Sequence, residues 1–282
     1  MDDVVGRVAV VTGAGSGMGR AMAQRFATAG MRVVVSDINL AAARSAADLI
    51  VANGAEAVAI RTDVSKVAEI ADLATATLDT FGQVHVVCNN AGVALGGRVD
   101  ELTNDEWRWM LDVDLWSAIH GVRIFLPLLE RQGEGHIVST ASVAGMGAPP
   151  LMAPYAVAKA GVIALMESLR RELTMRSSPI GASVLCPSSV NTALMTDSAK
   201  HAVAVGDRSN TSAGDTFIRA AGVALANTGI EPSAVADMVL EAILSDRFWI
   251  ITHPEWAELL RLRVDKMMED GSLADRPNPP DL

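Results

Sequence analysis

The chain has 282 residues, half of them hydrophobic, which is enough to bury the core of one α/β domain without calling for a second. A net charge of -10 and a pI near 4.9 argue against a nucleic-acid partner. No apolar stretch long enough to span a bilayer runs without a charge or glycine break, so no membrane partner is expected either.

The first predicted element is the valine-rich run Val8 to Val11, which suits a buried parallel strand and ends at Thr12-Gly13. Ala21, Met22, Arg25 and Phe26 follow at helical spacing. In the turn between them, Gly13, Ser16, Gly17, Met18 and Gly19 bring glycines where a Cβ would obstruct tight turning, approach of a pyrophosphate, or packing of helix on strand. The helix N-terminus offers its free N–H groups to phosphate. Glycine triplets alone also occur in plain surface turns; the strand and helix on either side favour a dinucleotide site. The turn follows the N-terminus too closely to leave room for a signal peptide, and a soluble, cytoplasmic chain is expected.

Arg32 to Ser36 is the second strand and ends in Asp37, at the distance where dinucleotide folds place a ribose-binding acid. A carboxylate there accepts from both ribose hydroxyls and repels a 2′-phosphate, and neither Ser16 nor Ile38 supplies a compensating cation. NAD is therefore expected over NADP. The alternative is that Asp37 caps a helix beginning near Leu40.

Ala41 to Asn53 reads as a helix closed by Gly54, and Ala57 to Arg61 as a third strand. Asp63-Val64 follows, with Asp63 placed to cap a helix starting around Lys66. His85 to Asn89 is the fourth strand. Asn89-Asn90-Ala91-Gly92 leaves it at the carboxyl edge, where open α/β sheets bind ligands, although the same residues also suit a polar turn. One long helix is predicted from about Asn104 to Leu129, with Trp107, Met110, Leu111, Asp114, Leu115 and Ala118 along one side and Pro127 near its end. Cys88 and Cys186 sit inside apolar runs and read as buried reduced thiols. The five histidines lack ligand spacing, so no metal is expected.

His136 to Thr140 is the fifth strand, with Ser142 just past its edge. Ser139, inside the strand, reads as a structural hydroxyl. Tyr155 and Lys159 are four apart, so a helix turns both to one face. By itself that spacing also describes a solvated face. A free phenol titrates near about 10, and an adjacent ammonium lowers that value by favouring the phenolate. The chain's only tyrosine stands at this position. Ala182 to Leu185 is the sixth strand, followed by Pro187-Ser188-Ser189-Val190-Asn191-Thr192, which also fits a plain turn. Residues 193–232 lack strong periodicity and read as a substrate lid. Met195, Val203 and Val205, with Val143, Met146, Leu151 and Met152, suggest an apolar pocket. Ser233 to Leu244 is helical, Phe248 to Thr252 a last strand, Glu255 to Met268 an amphipathic helix, and 270–282 a frayed tail. Alternating strands and Ala-rich helices predict an α/β fold, a Rossmann-type doubly wound parallel sheet with helices on both faces in a single domain.

The motifs TGAGSGMG, NNAG and YAVAK, in this order and spacing, resemble those of the short-chain dehydrogenase/reductase family from about Gly6 to about Thr192. The resemblance implies an oxidoreductase that moves a hydride between a nicotinamide cofactor and an alcohol or ketone; with Asp37 and the apolar pocket residues, NAD and a small apolar secondary alcohol or ketone are expected. It implies that Asp63-Val64 contacts the adenine, that Asn90 lines the cofactor ribose, and that Ala91-Gly92 let the backbone pass close. Tyr155 would exchange the carbinol proton, Ser142 hold the substrate oxygen, and Lys159 bind the nicotinamide ribose as well as shift the tyrosine. Pro187, Val190 and Thr192 match the family's PGxVxT segment, which closes over the nicotinamide; Ser188 replaces its usual glycine, which constrains the backbone more. A second departure is Val113-Asp114-Leu115, where the family carries an asparagine whose site holds a water linked to the lysine. Asp114 copies the shape and adds a charge, raising the lysine pKa unless it stays protonated, or else it faces solvent or pairs with Arg108 or Arg123. A homotetramer through helix pairs is implied, with a homodimer as the alternative. An NADP-dependent carbonyl reductase and an NAD-binding regulator without turnover are the rival functions. Extended relatives, such as epimerases, carry a different glycine spacing and a longer C-terminal domain.

Overall fold

The computed structural model describes residues 1, 3–198 and 213–273. Seven strands form one parallel sheet in the order β3-β2-β1-β4-β5-β6-β7. They are β1 (Val8–Thr12), β2 (Arg32–Asp37), β3 (Ala57–Arg61), β4 (Val86–Asn89), β5 (Gly135–Thr140), β6 (Ile180–Cys186) and β7 (Trp249–Ile251). The central strands are valine-rich because both faces are covered. Side chains alternate between two cores: Ala9, Val11, Val33, Val35 and Val86 enter one, while Val10, Val34 and Val87 enter the other. Each fully buried valine of this kind contributes about 1.5–3 kcal/mol relative to exposure.

The first core lies under α1 (Gly17–Thr28), α2 (Leu40–Ala52) and α8 (Pro232–Leu244); the second lies under α3 (Val67–Phe81), α5 (Ser117–Gln132) and α6 (Ala153–Met175). Cys88 faces the first and Cys186 the second, so the sheet itself separates the two free thiols. Burial raises both, Cys186 to about 12. Strand order reverses between β1 and β4, and the crevice beyond their carboxyl ends is where such sheets bind ligands.

Two elements differ from the sequence expectation. The single helix expected from Asn104 is α4 (Asn104–Leu111), a π-helical turn over Asp112–Trp116 and then α5, which runs past Pro127 to Gln132. The Ser117 amide donates to the Asp112 carbonyl five residues back, and the widened turn directs Asp114 into the protein at 2% exposure. A π turn needs no proline or glycine, so local composition does not announce it. The region read as aperiodic contains α7 (Ala213–Thr228), while Val203 and Val205 lie outside the described residues. The last helix is α9 (Trp256–Glu269). No helix among the described residues is long and apolar enough to cross a membrane.

Candidate active site

A cavity of about 1220 Å³ runs along the carboxyl edge of the sheet from Asp37 to Ser142. All the site residues predicted from sequence line it: the turn Gly13, Ser16, Gly17, Met18 and Gly19; Asp37, Asp63 and Val64; Asn90, Ala91 and Gly92; Asp114, Ser142, Tyr155 and Lys159; Pro187, Val190 and Thr192.

At the β1 end the chain leaves room where a dinucleotide would lie. A Cβ on Gly19 would overlap the Gly13 carbonyl oxygen and come within 2.6 Å of Asn90 Nδ2, so only glycine lets α1 start this close to the strand ends. Ser16 precedes α1 with its side chain making no cap bond, so the helix N-terminus meets the cavity without a side-chain acceptor of its own. Asp37 accepts from the Gly15 amide at 2.9 Å and from the Asn39 amide at 2.9 Å. The cap of α2 is Asn39, which accepts from the Ala42 amide at 3.2 Å, so the capping role considered for Asp37 belongs to its neighbour. A carboxylate held this way keeps further lone pairs for ribose hydroxyls.

Asp63 accepts from the Ser65 amide at 3.0 Å and from its hydroxyl at 2.7 Å, shaping the turn before α3, whose cap position Lys66 makes no side-chain bond. Asn90 joins three strand ends: its Nδ2 donates to the Thr12 carbonyl at 2.9 Å, its amide to Thr12 Oγ1 at 3.0 Å, and its Oδ1 accepts from Thr140 at 3.3 Å. Its side chain therefore braces the cavity floor. Ser139 is fully buried and accepts from Asn89 at 3.2 Å, a structural hydroxyl.

The other end concentrates buried polar chemistry. Tyr155, Lys159 and Ser142 are 7%, 3% and 7% exposed. Tyr155 stands in the first turn of α6, which Pro154 helps to start, and Lys159 follows one turn later on the same face. Ser142 Oγ accepts from the Ala144 amide at 3.1 Å, capping a short 3₁₀ turn (Val143–Gly145), and donates to the Pro187 carbonyl at 3.3 Å. The Lys159 ammonium donates to the Thr140 carbonyl at 3.1 Å and lies 3.0 Å from Asp114 Oδ2 and 5.5 Å from the Tyr155 ring centre. Asp114 Oδ1 accepts from the Val93 amide at 2.7 Å, whereas Oδ2 has no aligned hydrogen-bond donor. The solvent-facing alternative for Asp114, and its pairing with Arg108 or Arg123, do not occur.

The phenol departs from expectation. Burial pushes Tyr155 up first, the Lys159 ammonium pulls it down, the Asp114 carboxylate pushes it up again and the Ser142 hydrogen bond pulls it down; the net direction is upward, not downward. Burial alone would lower Lys159, yet Asp114 and the phenol raise it, so the ammonium persists. Asp114 is raised by burial against the opposing pull of Lys159 and the Val93 amide.

Ser188 causes no distortion, since it is absent from the residues with positive φ and its amide donates to Thr252 Oγ1 at 3.1 Å. Of the residues read as pocket, Val143, Met152 and Met195 line the cavity. Met146 and Leu151 do not: Met146 packs on the core below α6, and Leu151 adopts φ 61 with its carbonyl accepting from the Gly97 amide at 2.7 Å. Sequence reading missed Trp109, Phe217 and Trp256, which line the cavity from α4, α7 and α9. Their scarcity was the available signal, because aromatic residues make up only 4% of the chain. Among the described residues, no three His, Cys, Asp or Glu side chains gather to hold a metal.

The family model described as short chain dehydrogenase matches residues 7–202. The chain is 34% identical over 270 residues to 1-deoxy-11-beta-hydroxypentalenate dehydrogenase of Streptomyces exfoliatus, covering 95% of this chain and 90% of that one. Among solved structures, a short chain dehydrogenase/reductase from Burkholderia phymatum in complex with NAD is 37% identical, with a TM-score of 0.94 over 99% of this chain and 100% of that one. A metagenomic short-chain oxidoreductase in complex with NADP is 29% identical, with a TM-score of 0.69 over 88% of this chain and 96% of that one. With the sheet, the glycine turn and the serine, tyrosine and lysine at one cavity, these matches establish that the chain belongs to the short-chain dehydrogenase/reductase family of oxidoreductases.

Proposed function

We propose that the protein transfers hydride between NAD(H) and the carbinol or carbonyl carbon of an apolar secondary alcohol or ketone. The observation that carries this reading is the single cavity that joins Asp37 at one end to Ser142, Tyr155 and the Lys159–Asp114 pair at the other. The cradle around the glycine turn fits a dinucleotide, because its Cβ-free positions and uncapped helix start leave backbone N–H groups to meet phosphate. Asp37 supports NAD over NADP, since no cation faces it among its hydrogen-bond partners and a 2′-phosphate would meet its charge.

When bound, the oxidised nicotinamide supplies a hydride acceptor and a positive charge. Tyr155 takes the carbinol proton in oxidation and returns it in reduction, and Ser142 holds the substrate oxygen by turning its hydroxyl from the Pro187 carbonyl. Lys159, fixed by the Thr140 carbonyl, offsets part of the burial that raises the phenol and would hold the cofactor ribose. Asp114, 3.0 Å from that ammonium, positions it rather than meeting the substrate, at the position where the resemblance places the family's asparagine. Exposed Trp116 and Val157, near α5 and on α6, support a homotetramer or homodimer through those helices.

The test is absorbance of reduced nicotinamide with a panel of secondary alcohols under NAD and NADP. NAD is expected to give the higher kcat/KM; a higher value with NADP overturns the cofactor assignment. Cofactor binding without turnover across the panel would favour the regulator instead.

A further inference from the structure

The substrate end of the cavity carries two features that the hydride-transfer chemistry does not require. The first is aromatic. Trp109 and Phe217 pack on the apolar cluster that contains Tyr155, Met152 and Met195, and Trp256 lines the same cavity from the start of α9. Three separate helices thus each place a flat side chain around one chamber, in a chain with very few. Flat apolar walls favour a flat apolar guest, because ring-on-ring contact adds to the area removed from water.

The second feature is charge. Among the described lining residues the cations are Lys66, which follows the Asp63 turn at the far end, and Lys159, which is paired with Asp114. Glu255 and Glu258 line the cavity where α9 begins. Of the arginines of that helix, Arg261 pairs with Glu258 at 3.3 Å and offsets that carboxylate, which leaves the charge argument to Glu255, and Arg263 donates to the Met146 carbonyl, tying α9 to the loop after Ser142. Nor does the N-terminus of α9 offer its amides to an anion, because Trp256, Ala257 and Glu258 donate theirs to the carbonyls of His253, Pro254 and Glu255. Among the described residues lining this end, an anionic substrate would meet the Glu255 carboxylate, with the His253 imidazole, bonded through one nitrogen to Thr252 Oγ1 at 2.7 Å, beside it.

We propose that the chamber selects a secondary alcohol or ketone whose reacting carbon bears an uncharged ring, and rejects the same ring when it carries a carboxylate. The selectivity rests on the dehydrogenase reading above and deepens it. Trp256 and Phe217 provide the ring contact, and Glu255 provides the rejection.

The experiment compares phenyl methyl carbinol, its para-carboxylate and sec-butanol as substrates of the full chain with NAD. The neutral aryl alcohol should exceed each of the other two in kcat/KM by about tenfold or more. The gap to the carboxylate should narrow in about 1 M salt, where the screening length falls to about 3 Å, and also in Glu255→Gln. Trp256→Leu and Phe217→Leu should each reduce the preference for the ring over sec-butanol roughly tenfold, through KM rather than kcat. Equal turnover of the neutral and carboxylate substrates, or an undiminished ring preference in both leucine variants, would overturn the proposal. Should no alcohol be oxidised, the dehydrogenase reading itself fails. The chamber is then tested by tryptophan fluorescence as acetophenone or its para-carboxylate is titrated in with NADH present. Binding of the neutral ketone about tenfold tighter upholds the ring chamber, and equal affinity or none defeats it.

Discussion

At the β1–β2 end of the cavity, polar side chains are satisfied by the chain itself: Asp37 by two amides, Asn90 by Thr12 and Thr140, Asp63 by Ser65. At the β5–α6 end, a carboxylate, a phenol and an ammonium are buried together, and one carboxylate oxygen lacks an aligned donor. The first region offers backbone shape and fixed acceptors, as the proposed dinucleotide binding requires. The second holds charges whose desolvation cost stability alone does not justify, because an apolar trio of similar volume would pack there at lower cost. Buried charge next to a cavity is thus the sharper marker of chemistry, and glycine geometry the sharper marker of cofactor binding.

The comparison breaks most easily at Tyr155. Tyr155→Phe should lower kcat by about two to four orders of magnitude while NAD affinity stays close to wild type, because the substitution removes only the hydroxyl proposed to transfer the proton. Turnover within a few-fold of wild type would move the proton transfer elsewhere.

Asp114 separates positioning from packing. Asp114→Leu leaves the Lys159 ammonium buried without its counter-charge and should cost about 3–5 kcal/mol of stability, seen as a lower midpoint in urea unfolding. Asp114→Asn keeps the shape and removes the charge. Because Asp114 raises both Tyr155 and Lys159, its neutral replacement should lower both, and the rise of the oxidation rate with pH should move to lower pH. A pH profile identical to wild type in the asparagine variant would mean that Asp114 does not tune the phenol and the ammonium.

Gly19→Ala probes the other end, where the new methyl would overlap the Gly13 carbonyl and press on Asn90. A stability loss of about 1–3 kcal/mol is expected, with NAD affinity reduced more than the residual kcat. Calorimetric titration showing unchanged NAD affinity would mean that α1 does not set the cofactor cradle. The smallest effect is that of Asp37→Ala, which should narrow the ratio of NAD to NADP specificity by about tenfold, or about 1.4 kcal/mol, without altering the pH profile. If the ratio stays fixed, Asp37 serves the Gly15 and Asn39 amides only.

Strands, helix faces and the order of motifs were legible in the sequence, because each depends on neighbours within a few residues. The run Ala9 to Val11 alternates between two cores as its period requires, Asp37 ends its strand, and Tyr155 and Lys159 share a face through their four-residue spacing. Tertiary structure alone decided which groups meet. Asn39 took the cap offered to Asp37, and the π turn before α5 drove Asp114 onto Lys159 across 45 residues of chain. Trp109, Phe217 and Trp256 converged from three helices, one of them unseen in the periodicity. Local spacing specifies the face on which a side chain lies, whereas the partner on the opposite face depends on how loops and helix packing bring distant segments together.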